Sequence, residues 1–189
     1  MSRLLLVVLL LFTLALPALA EGPELPPAPQ GYSWKQLEPV DAHVLIPEGW
    51  HFRQEENDGT LAYFVTETAI EPGELFDVGL SVNVVPQLKA RTRQHDAPTY
   101  AQAYIQQCAR THAGAEAWQF EQAPFVGYGC EFTTEPKPGH EITMYMLALG
   151  NRQTDTLYVM WFEAPAARWE DAWQTGRVML QGFALEDGF

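Results

Sequence analysis

The sequence predicts an α+β fold in which two main helices cover a central antiparallel sheet. Three observations carry this reading. Several runs alternate apolar and polar residues with period two, two segments place apolar residues at helical spacing, and short turns join most of the runs. Short turns link antiparallel neighbours, whereas parallel strands need long crossovers, so helices on an antiparallel sheet is the economical arrangement.

The chain opens with Arg3, an uncharged apolar run over residues 4–16, Pro17 and then Ala18-Leu19-Ala20. Basic start, short apolar middle and small-residue end are the layout of a cleaved secretory signal over residues 1–20. The run falls short of the ~20 apolar residues of a spanning helix, so no stable membrane span is expected after cleavage. Residues 21–30 hold Pro23, Pro26, Pro27 and Pro29 and predict a flexible leader. Residues 31–189 are expected to form a single domain, with order beginning near Gly31.

Residues 34–46 read as one strand ending at Pro47-Glu48-Gly49, with Val44 and Ile46 opposite His43 and Leu45. A hairpin follows, turning at Asn57-Asp58-Gly59 between residues 51–54 and 60–66. Residues 77–85 form a strongly patterned strand with Val78, Leu80, Val82 and Val84 on one face. Residues 88–95 read as a solvated basic connector. Asp96 then caps a helix that runs to about Thr111, Pro98 sits in its first turn, and Tyr100, Tyr104, Gln107/Cys108 and Thr111 form its expected inner stripe. Strands follow over residues 116–122, 125–134, 141–149 and 156–163. Pro165 opens a second helix to about Leu180, whose stripe is Trp169, Ala172/Trp173, Gly176 and Met179/Leu180. Phe183-Ala184-Leu185 is a short closing strand.

Composition sets the limits on function. The 189 residues carry 11 basic and 24 acidic side chains, a net charge of −13. Such a surface repels nucleic acid and anionic lipid. A chain that is 47% hydrophobic, with 12% aromatic residues, is not disordered. The chain holds just two cysteines, Cys108 and Cys130. An even count in an exported chain predicts a disulfide, worth about 3 kcal/mol in chain-entropy terms; two free buried thiols are the alternative. If Cys130 faces the first helix, the bond staples that helix to the sheet.

No catalytic signature emerges. Ser33 and Ser81, the serines beyond the leader, lie outside any G-x-S-x-G elbow. His112 follows Cys108 by four residues and could share its helix face, but the disulfide reading leaves no thiolate to activate. His140-Glu141, His43 and His51 are not at chelating spacing, and HExxH is absent. Glu55-Glu56 and Glu170-Asp171 read as solvated surface, and Gly127-Tyr128-Gly129 lies in strand-like sequence without a following helix. No catalytic residue, metal site or cofactor is therefore assigned. The aromatics offer more. Trp161, Trp169 and Trp173 fall around the last strand and helix and form a candidate binding patch edged by acids, with Trp34 and Trp50 a second candidate near the N-terminal edge.

Several stretches carry a family resemblance: Ile46-Pro47-Glu48-Gly49-Trp50, Gly127-Tyr128-Gly129-Cys130-Glu131-Phe132, the run from Leu157 to Phe162, and Pro165-x-x-x-Trp169. Their order over most of residues 32–185 resembles the PsbP/DcrB-like superfamily of photosystem accessory, bacterial envelope and Ran-binding proteins. The resemblance implies an α/β/α sandwich with a central antiparallel sheet and a non-enzymatic accessory or binding role. The two cysteines lie outside the general pattern, and no binding residue carries over. The expected protein is thus a periplasmic or secreted binding module for a protein or small-molecule partner, with its negative charge favouring basic partners. The alternatives are a small hydrolase or metal-dependent enzyme with a site assembled from distant residues, and a toxin-neutralising inhibitor.

Overall fold

The computed structural model describes residues 25–185. The expected signal peptide at residues 1–20 lies outside them, as does the first part of the leader. Nine strands and three α-helices follow in the order β1 (Tyr32–Gln36), β2 (His43–Pro47), β3 (His51–Asn57), β4 (Thr60–Thr66), β5 (Gly79–Val85), α1 (Leu88–Thr92), α2 (Ala97–Thr111), β6 (Glu116–Gln122), β7 (Phe125–Lys137), β8 (His140–Asn151), β9 (Leu157–Pro165) and α3 (Trp169–Gln181). A single 3-10 turn, Ala166–Arg168, leads into α3.

β3 to β9 form one seven-stranded sheet in the order β3-β4-β5-β9-β8-β7-β6. Every pairing in it is antiparallel. Period-two alternation sends side chains to two faces. On one, Val82, Tyr158, Met160 and Phe162 pack against Ala172 and Met179 of α3 and against Val44 of β2. On the other, Cys130, Met146 and Val159 pack against Ala101, Ile105 and Cys108 of α2. These are the α3 face and the α2 face. Helix, sheet, and helix with a β1–β2 ribbon make an α/β/α sandwich with a central antiparallel sheet, as the resemblance implied.

Four local departures have physical reasons. The predicted strand over residues 34–46 is a hairpin, because Pro39 has no N–H to give a ladder; the chain reverses there and Leu37 N–H bonds Ala42 O at 2.8 Å. The connector after β5 contains α1. Its Leu88 N–H bonds the Asp155 carbonyl at 2.9 Å, while the Asp155 carboxylate accepts from Lys89 N–H at 2.7 Å and from Ala97 N–H at 2.8 Å. One aspartate thereby satisfies donors at the starts of both α1 and α2. The inner stripe of α2 is Ala97, Ala101, Ile105 and Cys108, while Tyr100 is exposed. Small side chains let the helix start lie close to β8, where a Cβ on Gly150 would meet Pro98 N at 2.3 Å. Tyr104 packs half-buried at the edge of the α2-face core. Lastly, the end of the leader is docked: Trp34 donates its indole N–H to Pro26 O at 2.7 Å, and Tyr32 N–H bonds Pro29 O at 3.1 Å.

Cys108 and Cys130 are joined in a disulfide, with their Cα atoms 6.6 Å apart. The bond ties α2 to β7. α3 matches its expected stripe, and its Gly176 admits the Phe162 ring, which would lie 2.6 Å from a Cβ there.

Candidate functional site

The aromatic residues singled out by the sequence do not form one patch. Trp161 lies between Met160 and Phe162 on β9, and alternation turns it to the α2 face, beside Tyr104. Trp169 and Trp173, one helical turn apart on α3, face the other side. The expected cluster of three is corrected to a pair, because a strand separates neighbours in sequence by a full sheet thickness. Trp34 sits on β1 with its indole N–H spent on Pro26. Trp50 follows the β2–β3 turn and packs on the α3-face core.

Three further residues extend the Trp169–Trp173 pair. The two indoles stack with centroids 5.3 Å apart and planes 11° apart. Trp173 lies 4.5 Å from Tyr145 of β8, and Tyr145 lies 5.0 Å from Trp118 of β6. Phe162 supports the pair from below, 5.9 and 5.8 Å from Trp169 and Trp173. The result is a continuous aromatic shelf from α3 to the β6 edge, each of its four members half-buried.

The sheet register explains why the shelf lies flat. Trp118 pairs with Gly129 and Phe120 with Gly127 across β6 and β7. A Cβ on Gly129 would meet the Trp118 ring at 2.2 Å, and one on Gly127 would meet Phe120 at 2.2 Å. The two glycines leave slots into which the rings lie down. Sequence reasoning missed Trp118 and Tyr145. The signal was present as Trp-x-Phe and Gly-x-Gly on either side of a turn, and it becomes legible once the pairing is known.

Acids edge the shelf. Glu116 and Glu131 are directly opposite on β6 and β7, and Glu131 is in turn opposite Tyr145 on β8. Like charges directly opposite on a sheet are destabilising. Burial, and then the Glu116 charge, push the Glu131 carboxyl above its ordinary range. Burial, and then Glu131, raise the Tyr145 phenol. Among the described residues, the ion pairs are Arg53–Glu55, Arg152–Glu121 and Arg168–Glu67, and none engages Glu116 or Glu131.

The reactive candidates have structural places. Cys108 is in the disulfide. His112 stacks on Phe132 with centroids 3.7 Å apart. Among the described residues, no group of three or more His, Cys, Asp or Glu is arranged to hold a metal ion. Ser81 lies inside β5 on the α2 face, opposite Trp161.

No protein-family model matches the chain, and no curated protein matches it in sequence. Solved structures do match. The Ran-binding protein Mog1p of Saccharomyces cerevisiae superposes with a TM-score of 0.50 at 12% identity, covering 82% of this chain and 95% of that one. Cyanobacterial PsbP (CyanoP) from Synechocystis sp. PCC 6803 gives 0.47 at 15% identity, covering 82% and 92%. At such identity the likeness to Mog1p is one of fold.

Proposed function

We propose that this protein is an exported, non-enzymatic binding module that recognises a lysine- or arginine-bearing segment of a protein partner on the Trp118–Tyr145–Trp173–Trp169 shelf. One observation carries the reading: two carboxylates face each other across β6 and β7, without a basic partner among the described residues, beside a row of half-buried aromatic rings. A cation entering there relieves the repulsion between Glu116 and Glu131 and lays its stem on the rings. Cation–aromatic contacts of this kind are worth about 0.5–2 kcal/mol. The charge of −13 steers basic partners to the surface. Export is supported by the leader sequence and by the Cys108–Cys130 bond, which persists in oxidising compartments.

Calorimetric titration with matched short peptides tests the reading, one rich in Lys and Arg and one in Glu and Asp, with equal aromatic content. The basic peptide is expected to bind, more weakly as salt rises. Glu131→Gln and Trp173→Ala should each weaken it by about tenfold, in line with a partly desolvated charge contact. Cation binding favours the ionised carboxylate, so affinity should rise with pH through the carboxylate range. Equal binding of the two peptides, or indifference to Glu131→Gln, would overturn the reading. Fractionation of the native cells, with N-terminal sequencing of the product, checks export by placing the cut after Ala20.

A further inference from the structure

β6 ends the seven-stranded sheet, and its outer side pairs with no strand among the described residues. Alternate residues of a strand aim their N–H and C=O groups to opposite sides. Part of the backbone over Glu116–Gln122 is therefore spent on β7, and the rest faces outward. Native proteins blunt such edges with charge or proline. The opposite edge follows that rule: β3 carries Arg53, Glu55 and Glu56, and Gln54 donates its side-chain amide to Glu38 O at 2.6 Å. β6 does not. Its middle residues, Ala117-Trp118-Gln119-Phe120, hold neither charge nor proline, and Ala117 and Gln119 are exposed. Seven residues at strand rise offer a docking edge about 23 Å long.

Both faces are furnished at this edge. Glu116 and Trp118, the rim of the shelf, stand on the α3 face. On the α2 face a groove of about 270 Å³ separates α2 from β6. Ile105, Ala117 and Tyr128 give it an apolar lining, and the exposed side chains of Gln102, Gln106 and Gln119 stand around it. Ala117 and Gln119 reach this face because they alternate with Glu116 and Trp118. A single strand thickness thus divides acids and aromatic rings from an uncharged apolar slot. An extended segment laid beside β6 sends successive side chains to the two faces in turn, each about 5 Å from its β6 neighbour.

We propose that the partner segment binds as an added strand on β6, in which Lys or Arg residues that lie over Trp118 beside Glu116 alternate with uncharged apolar residues that enter the groove. The inference rests on the shelf reading and adds to it the conformation and the sequence pattern of the partner. Main-chain hydrogen bonds supply affinity, and the two unlike faces supply selectivity. A second copy of this chain fits poorly. β6 carries Glu116 and Glu121 and no basic residue, and each copy brings a net charge of −13.

Calorimetry with two peptides of one composition tests it: one alternates Lys and Val over the length of β6, and its block isomer groups the lysines and the valines. The alternating peptide should bind about tenfold more tightly, the worth of burying one valine. N-methylation at every Lys, or at every Val, blocks one backbone edge of that peptide at a time. One pattern should cost about tenfold and the other about twofold or less. With peptide at about ten times its Kd, alternate amides over Glu116–Gln122 should exchange hydrogen about tenfold more slowly by ¹H–¹⁵N NMR. Ala109→Trp fills the groove from the exposed side of α2, so it should weaken the alternating peptide and spare the isomer. Equal binding of the isomers, equal effects of the two methylation patterns, or β6 amides left unprotected would each overturn strand pairing; if Glu131→Gln still weakens both isomers, the shelf reading stands without it. Binding of neither isomer would overturn both readings. A dimer of the protein alone that protects the β6 amides would show that a second copy is the occupant and refute the proposal.

Discussion

Glu163 shows how one side chain takes its chemistry from strands distant in sequence. It projects from β9 opposite Gly79 of β5. The Phe76 ring lies over that glycine, where a Cβ would meet it at 3.0 Å. Burial, and then the charge of Asp77, push the Glu163 carboxyl up to about 7. The folded state therefore holds this proton more tightly than the unfolded chain does. Its contribution to stability is fully present below the ordinary carboxylate pKa and is lost as pH rises through about 7. Glu163→Gln keeps the shape of the protonated form. We expect it to melt within a degree or two of wild type at about pH 3.5, below the ordinary carboxylate pKa where both states are protonated, and several degrees higher at pH 8. Differential scanning calorimetry at the two pH values reads this directly, and equal shifts at both would contradict it. Nothing near Glu163 in sequence announces this behaviour, because the burial comes from β5 and from the loop before it.

At the scale of elements, the sequence was most legible where periodicity and capping agree. α3 shows the stripe that its spacing predicts, and α2 begins where Asp96 accepts from Thr99 N–H at 3.0 Å. Legibility failed where small residues decide packing. The inner face of α2 is set by Ala97, Ala101 and the nearby Gly150, so the exposed Tyr100 was mistaken for a core residue, while Tyr104 packs half-buried at the core's edge. The shelf was missed for the same reason, since Gly127 and Gly129 matter through the rings laid over them. Gly129→Ala should lift the Trp118 ring off β7, because an added methyl would sit 2.2 Å from it. The ring is at the end of a movable side chain, so the expected stability cost is small, about 1 kcal/mol. Basic-peptide binding should fall several-fold, and Trp fluorescence should shift to the red as the indole meets water. Unchanged binding would detach Trp118 from the site.

For the molecule as a whole, alternation and turn signals were enough to give the layers, while the strand order was beyond them. The β3–β5 and β6–β8 stretches are each local meanders, and β9 pairs with both β5 and β8. That pairing brings Ser81 opposite Trp161, while alternation along β9 puts Trp161 and Trp173 on opposite sides. It also gives the chain a timetable. The strand that joins the two halves is the last to be made, so during synthesis the halves wait with open edges on β5 and β8. A chain truncated after Asp155 should show no cooperative thermal transition, and a sharp one would contradict this. Late closure of the seam keeps the growing polypeptide loose until nearly its full length has emerged, which is the condition in which a chain can still be threaded through a narrow translocation pore.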